Sequence, residues 1–210
     1  MLRKTLPGGV QVSDYRDTPS GDVLIHLAEE SRIGRVNELG EVYERSAIET
    51  LQELLKKNYK RIVYASSALL YGDDSSRPHL VEDEIKVSGT YLRVKRACEK
   101  LILESGNHAV VRLANLYGPG MSKANVLSTI MEQLSGSEEI RVRDDRPIRD
   151  FLWVEDAAEA IVKLALGNSS GIFNLGSGVG VSVKELAQVM TDIVGSEGRR
   201  VSAYSPSDKD

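Results

Sequence analysis

The sequence has few of the features that indicate disulfide-rich, metal-binding or membrane-spanning proteins. It contains one cysteine, Cys98, and three histidines, so it can form no internal disulfide and shows no Cys/His cluster typical of a metal site. No apolar run approaches the roughly 20 residues that a transmembrane helix needs. The first eight residues also lack the apolar core of a secretory signal. We therefore expect a soluble, cytoplasmic protein without a metal ion.

An excess of charge of one sign is also missing. The 27 lysine and arginine residues are interleaved with 31 aspartate and glutamate residues, and the formal net charge is −4. Binding along a phosphate backbone requires a clustered basic face, so a nucleic-acid partner is not expected. The composition is ordinary for a globular chain, and 210 residues suit one compact domain or a large lobe with a small second one.

Short β-branched runs alternate with longer helical patterns along the chain. The predicted strands are Asp22–Leu27, Arg61–Ala65, Ala109–Leu113, Phe151–Val154 and Ile172–Leu175. The predicted helices lie near Glu41–Lys57, Thr90–Glu104, Ala124–Leu134, Val154–Leu166 and Val183–Val194, the last opened by a capping box at Ser182 and Glu185. Strands separated by helices of this length are typical of parallel β-α-β units. The pattern therefore predicts an α/β fold with a parallel sheet flanked by helices.

A serine pair and a Tyr-Lys pair carry the most informative chemistry. Ser66 and Ser67 end the second predicted strand, and Lys95 follows Tyr91 by four positions on a predicted helix, which places the phenol and the ammonium on one face. A free tyrosine has a pKa of about 10, and an adjacent cation favours its phenolate form. Each pair alone is common. A tyrosine and a lysine four positions apart on a helix often occur by chance, and two serines that end a strand often only form a turn. Together, in this order, they indicate acid-base chemistry.

Six segments resemble the NAD-dependent epimerase/dehydratase family, the extended branch of the short-chain dehydrogenases. The resemblance runs from about Gly21 to Glu185, through the segments Asp22–Ala28, Ser66–Gly72, Tyr91–Glu99, Arg112–Gly120, Arg149–Asp156 and Phe173–Gly178. It implies a Rossmann-like core over 1–115 and 151–170, and a small α/β substrate-binding lobe over 116–150 and 171–210. A homodimer is also implied by the family.

The resemblance implies a role for each matching residue. Tyr91 would be the acid/base at a sugar hydroxyl, Lys95 would favour its phenolate, and Ser67 would polarise the reacting oxygen. The implied contacts to NAD or NADP come from His26, Ala28, Ser66, Tyr91, Lys95 and Leu113. The implied contacts to a nucleotide-diphosphate sugar come from Ser67, Asn115, Asn125 and Arg149, although a salt bridge for Arg149 and a loop cap for Asn115 remain alternatives.

Departures from the family pattern narrow the expected reaction. Ala68 and Leu69 occupy the positions where dehydratases of the family carry an Asp-Glu pair, so a 4,6-dehydratase is not expected. A nucleotide-sugar epimerase and a keto-sugar reductase both remain open. Glu29 stands where the family usually has an alanine, close to the expected position of the cofactor phosphates.

The family's N-terminal glycine-rich unit, which receives the cofactor pyrophosphate, is not recognisable before Asp22. Pro7-Gly8-Gly9 follows no predicted strand, and the later cluster Gly176–Gly180 is interpreted as a loop. The first predicted strand would then lie at a sheet edge. The alternatives to an enzyme are therefore a truncated pseudoenzyme that binds a nucleotide-sugar or a partner, and a subunit whose sheet another chain completes.

Overall fold

The computed structural model describes residues 10–12, 14–72, 77–136, 139–195 and 198–204. These residues divide between two compact units, one formed by Met1–Ala114 with Glu155–Leu175 and the other by Asn115–Val154 with Gly176–Asp210. Within the described ranges, no helix is both long enough and apolar enough to cross a membrane. Residues 1–9, which include Pro7-Gly8-Gly9, lie outside the described residues.

The described residues form nine strands and five α-helices. The strands are β1 (Val23–His26), β2 (Arg61–Ser67), β3 (Ala109–Leu113), β4 (Asn115–Tyr117), β5 (Glu139–Val142), β6 (Ile148–Trp153), β7 (Gly171–Leu175), β8 (Gly180–Ser182) and β9 (Arg200–Ala203). The helices are α1 (Ile33–Leu55), α2 (Gly89–Ser105), α3 (Val126–Gln133), α4 (Val154–Leu166) and α5 (Val183–Ile193).

The first unit is built on a parallel four-stranded sheet in the order β1-β2-β3-β7. Every residue of β2 is buried, as expected for a central strand covered on both faces. On one face Tyr64 packs with Leu51 of α1 and Cys98 of α2. On the other face Val63 packs with Ile161 of α4. The first unit is therefore a Rossmann-like layered fold, as the sequence predicts.

Helix α1 is longer than predicted and contains a break. It begins at Ile33 instead of near Glu41, and Gly40 within it has φ of +57° and ψ of −138°. That backbone conformation is readily adopted only by glycine. The segment before the break buries only Val36, and its apolar residues Ile33, Val36 and Leu39 form a pattern too short to predict a helix.

The second unit holds a three-stranded sheet in the order β4-β6-β8 and a parallel pair of β5 and β9. Its core packs Ile130 of α3 and Ala187 of α5 against Ile140 and Val142 of β5. The capping box predicted for α5 is present, with Ser182 and Glu185 bonded reciprocally.

The structure divides the chain at different residues from those predicted. The sequence prediction places Gly171–Leu175 in the substrate-binding lobe, but this segment forms β7 and pairs along its length with β3 in the first unit. Residues 151–153, assigned to the core, belong to β6 and pair with β4 in the second unit, as does Asn115. These pairings join residues far apart in sequence, so local patterns could not locate them.

Candidate active site

Tyr91 lies in the first turn of α2, and a residue from α1 fixes that turn. The N-cap residue Ser88 makes no side-chain capping bond. Instead, the Tyr91 N–H donates to Asn37 Oδ1 at 3.0 Å. A Cβ placed on Gly89 would lie 3.1 Å from the same oxygen, and Gly89 has φ of +73°. The segment of α1 before Gly40 therefore caps α2 directly at Tyr91. Sequence reasoning missed Asn37, because nothing local marks a cap supplied by another helix.

Lys95 is buried on the same face of α2 as Tyr91. Its Nζ donates to the Ala65 carbonyl oxygen at 2.7 Å, near the carboxyl end of β2. The same Nζ lies 5.7 Å from the centre of the Tyr91 ring. The predicted phenol and ammonium are thus neighbours at the edge of the sheet where ligands bind in folds of this class.

Glu29 forms an ion pair with Lys95 that the sequence did not predict. Its Oε2 lies 2.7 Å from Lys95 Nζ, and only about 11% of its side chain is exposed. Its other oxygen accepts a hydrogen bond from the Tyr64 hydroxyl at 2.8 Å. The ring of His26 stacks on Tyr64, with 5.7 Å between centroids. The residue that departs from the family pattern therefore contacts the lysine directly.

The two serines at the end of β2 have different surroundings. Ser67 Oγ accepts a hydrogen bond from Leu69 N at 3.2 Å, at the start of the 3-10 turn Ala68–Tyr71. That contact uses an oxygen lone pair and not the hydroxyl proton. Ser66 Oγ instead donates to the buried carboxylate of Glu99 at 2.6 Å. The structure therefore directs Ser66 into a buried network.

The other residues with an implied cofactor role lie at the same edge of the sheet. Leu113 ends β3 and pairs with Ser67, and His26 ends β1. Ala28 follows β1 and is exposed. Parallel strands place their carboxyl ends together, so the sheet brings these residues to one edge. Their roles remain predictions.

A cavity of about 500 Å³ lies within the second unit. This volume is within the usual range for small-molecule sites. Its lining combines two arginines with other polar and apolar groups: Asn115, Val126, Arg143, Asp144, Pro147, Arg149, Val183 and Tyr204. The cavity thus contains two of the residues with an implied substrate role, Asn115 and Arg149.

Asn125 lies outside the lining of this cavity. It is the N-cap of α3, and its Oδ1 accepts a hydrogen bond from Ser128 N at 2.8 Å. Arg143 and Tyr204 line the cavity but were not predicted. Neither residue belongs to a segment that resembles the family, so the sequence offered no signal for them.

The glycine cluster Gly176–Gly180 directs its backbone donors at a carboxylate. Asp150 Oδ1 accepts from Ser177 N at 2.8 Å, and its Oδ2 accepts from Gly178 N at 2.8 Å. These amides are the groups that a phosphate-binding loop would offer to a phosphate. Because Asp150 accepts their hydrogen bonds, the arrangement supports the interpretation of this segment as a structural loop.

We expect Gly176→Ala to lower the free energy of unfolding by about 1–3 kcal/mol, the usual cost of overpacking. A Cβ at this position would lie 2.4 Å from Asp150 Oδ2. Urea denaturation followed by circular dichroism measures the change. Gly136→Ala is the matched control, since a Cβ there meets no atom within 4 Å. Equal stability of the two variants would contradict the packing argument.

Residues 10–176 match the family model described as the NAD dependent epimerase/dehydratase family. The chain belongs to this family. The match spans both units and includes Tyr91, Lys95, Asn115 and Arg149. The resemblance stated from the sequence motifs is therefore confirmed, and the epimerase/dehydratase fold is the one observed.

Relatives in the epimerase/dehydratase family act on nucleotide-sugars. The UDP-glucose 4-epimerase of Halalkalibacterium halodurans is 30% identical over 208 residues, which cover 85% of this chain and 62% of the relative. UDP-glucuronic acid decarboxylase 4 of Arabidopsis thaliana is 30% identical over 154 residues, which cover 67% of this chain and 35% of the relative. The chain thus spans less than two thirds of the length of either relative.

A solved structure shares the fold. The UDP-N-acetylglucosamine 4-epimerase from Methanobrevibacter ruminantium, in complex with UDP-N-acetylmuramic acid, has a TM-score of 0.77 and 22% sequence identity. The match covers 93% of this chain and 70% of that chain. Similarity at this level of identity shows the architecture and nothing finer.

The described residues fit one part of a nicotinamide dinucleotide. Tyr91 and Lys95 provide a phenol and an ammonium at the carboxyl edge of the sheet, and the family resemblance implies that both contact NAD or NADP. Among the described residues, no glycine-rich turn leads from a strand into a helix to receive the pyrophosphate. The fit therefore concerns the nicotinamide end of the cofactor.

Proposed function

We propose that this protein acts on nucleotide-diphosphate sugars as a nicotinamide-dependent epimerase or keto-sugar reductase. The observation that carries the proposal is the position of Lys95, buried at the carboxyl end of β2 with its ammonium 5.7 Å from the ring centre of Tyr91. The family provides the substrate class, because its curated relatives are named for nucleotide-sugar reactions.

In this proposal each side chain has a limited task. Tyr91 transfers a proton to or from a sugar hydroxyl, and Lys95 holds a positive charge 5.7 Å from the centre of its ring. The Ser67 hydroxyl donates a hydrogen bond to the reacting oxygen, while its own oxygen accepts a hydrogen bond from Leu69 N. Tyr91 and Lys95 would hold a nicotinamide cofactor, which would supply the hydride chemistry. Ala68 and Leu69 cannot transfer protons, which disfavours elimination of water.

The cavity of the second unit is proposed to bind the diphosphate of the nucleotide-sugar. Arg143 and Arg149 both line it, and a guanidinium suits phosphate oxygens because its planar donors can bond two of them at once. Asn115 also lines the cavity, with its side-chain amide donating to the Asp150 carbonyl oxygen at 3.3 Å. The remaining amide donor and the carbonyl oxygen can serve a polar ligand.

Replacing Arg149 by alanine is expected to weaken UDP binding by about 10- to 100-fold, because hydrogen bonds to charged groups contribute about 1.5–3 kcal/mol. Isothermal titration calorimetry with UDP measures the change. Arg141→Ala is the control, since Arg141 is an exposed arginine that pairs with Glu139 outside the cavity lining. UDP affinity that is unchanged in Arg149→Ala, or that falls equally in Arg141→Ala, would contradict this assignment.

A second candidate is nucleotide-sugar binding without redox chemistry. The observation that favours it is the ion pair between Glu29 and Lys95, because the carboxylate offsets the positive charge beside Tyr91. The two candidates differ in whether the folded chain binds NADH. Binding would favour the enzyme, and its absence would favour the pseudoenzyme.

A further inference from the structure

Glu29 joins the carboxyl ends of β1 and β2 to α2. It follows β1 by three residues, and its two carboxylate oxygens contact different partners. One oxygen accepts from the Tyr64 hydroxyl of β2 at 2.8 Å, and the other lies 2.7 Å from Lys95 Nζ of α2. The position of the carboxylate is therefore fixed from two elements.

The surroundings of this ion pair exclude most water. Only about 8% of the Lys95 side chain and 11% of the Glu29 side chain are exposed. Burial raises the pKa of the Cys98 thiol to about 12, and the charge of Glu29 adds to that effect. Burial, together with Glu29, also raises the pKa of Tyr64 well above its usual value. Burial lowers the pKa of His26, with Glu29 opposing that effect and Lys95 adding to it. Charges in such surroundings interact more strongly than at the surface.

The ammonium of Lys95 has three protons to donate. The Ala65 carbonyl oxygen accepts one of them at 2.7 Å, and the Glu29 carboxylate forms an ion pair with the same ammonium at 2.7 Å. An alanine in place of Glu29 would leave the buried ammonium with an uncompensated positive charge.

We propose that Glu29 is a positioning residue that holds Lys95 in a buried ion pair and offsets its charge beside Tyr91. The inference rests on the proposed function and names the residue that limits the availability of the Lys95 ammonium. A ligand that needs the Lys95 ammonium competes with the Glu29 carboxylate for it. A carboxylate at this position also opposes the approach of an anionic ligand. Glu29 thus weakens the binding of a dinucleotide to the Tyr91-Lys95 pair.

The ion pair can be tested without any ligand, through the NMR signal of the Lys95 ammonium in protein labelled with ¹⁵N-lysine. Lys95→Met assigns the signal by removing it. In the unaltered chain the ammonium protons are expected to exchange slowly with water, because the group is buried and bonded. In Glu29→Gln, which keeps the shape of the side chain and an acceptor for Tyr64, the exchange rate is expected to rise about tenfold or more.

Glu30→Gln is the matched control, because Glu30 is the neighbouring carboxylate and pairs with Arg32. It is expected to leave the Lys95 signal unchanged. Glu29→Asp provides a second variant with the charge retained and the carboxylate withdrawn by one methylene, and it too should accelerate exchange. Unchanged exchange in a folded Glu29 variant, or the absence of a slow Lys95 signal from the unaltered chain, would overturn the proposal.

A titration with NADH, followed by nicotinamide fluorescence, tests the competition. Glu29→Gln is expected to bind NADH about tenfold more tightly than the unaltered chain, the size of one charge-assisted hydrogen bond gained. Equal affinity in both would overturn the competition. If neither chain binds NADH, the proposed enzymatic function fails, and the ammonium signal still decides whether Glu29 holds Lys95.

Discussion

Tyr91→Phe is expected to lower kcat by about 10²- to 10⁴-fold, the usual contribution of a positioned general acid or base. The substitution removes the phenol oxygen and leaves the ring that lies 5.7 Å from Lys95 Nζ. The measurement is the interconversion of UDP-glucose and UDP-galactose by the chain supplied with NAD. UDP affinity should not change, because Tyr91 is not among the residues that line the cavity of the second unit.

The control for this substitution is Tyr59→Phe. Tyr59 donates its hydroxyl proton to the Pro19 carbonyl oxygen and makes no described contact with Lys95 or Glu29. We expect Tyr59→Phe to retain kcat within about threefold, since it removes no proton-transfer group. A Tyr91→Phe variant with the turnover of the control would rule out proton transfer by Tyr91.

Removing the Arg112 guanidinium, as in Arg112→Met, is expected to lower the free energy of unfolding by about 3–5 kcal/mol. Two nitrogens of Arg112 bond the Glu99 carboxylate at 2.9 and 2.8 Å, and both side chains are almost fully buried. Burial alone lowers the pKa of Arg112, but the hydrogen bonds to Glu99 and Tyr71 outweigh it, so its pKa lies above the usual value. The substitution would leave the buried Glu99 carboxylate with only the partly exposed Arg96, 3.7 Å away, as a cationic neighbour.

Urea denaturation followed by circular dichroism measures this loss. Lys100→Met is the control, because Lys100 pairs with Glu104 at 3.7 Å on the exposed face of α2, the helix that carries Glu99. Exposed pairs of this kind contribute about 1 kcal/mol or less. The double substitution Arg112→Met with Glu99→Leu should recover much of the stability, since it removes both charges. A single variant as stable as the control would contradict the argument.

The elements of the first unit could be predicted because their signals are local. The strand Arg61–Ser67 contains the consecutive apolar residues Ile62–Ala65, as expected for a covered parallel strand. In Val154–Leu166 the apolar residues recur with the helical period. The unit to which Gly171–Leu175 belongs could not be predicted in the same way. Its assignment depends on pairing with β3, about 60 residues earlier in the chain, and the strand itself carries no mark of that partner.

The candidate site could be predicted from the sequence only where a motif marks its residues. The spacing predicts Tyr91 and Lys95 as site residues, and segments that resemble the family predict Asn115 and Arg149; the roles of all four remain predictions. The ion pair of Lys95 with Glu29 and the cap from Asn37 to Tyr91 N both join separate elements through side chains. Contacts of that kind depend on three-dimensional packing, which leaves no periodic or spaced signal in the sequence.

The break in α1 at Gly40 makes tolerance to mutation uneven along that helix. A Cβ at Gly40 would meet no atom within 4 Å, so space does not restrict the residue, but its φ of +57° does. At Gly34, where a Cβ also meets nothing and the φ is not positive, an alanine fits an ordinary helix. In a library of random variants, position 34 should therefore accept many amino acids while position 40 retains glycine. Substitutions at position 40 would affect Tyr91 indirectly, because they would reorient the segment whose Asn37 side chain accepts the hydrogen bond from the Tyr91 N–H.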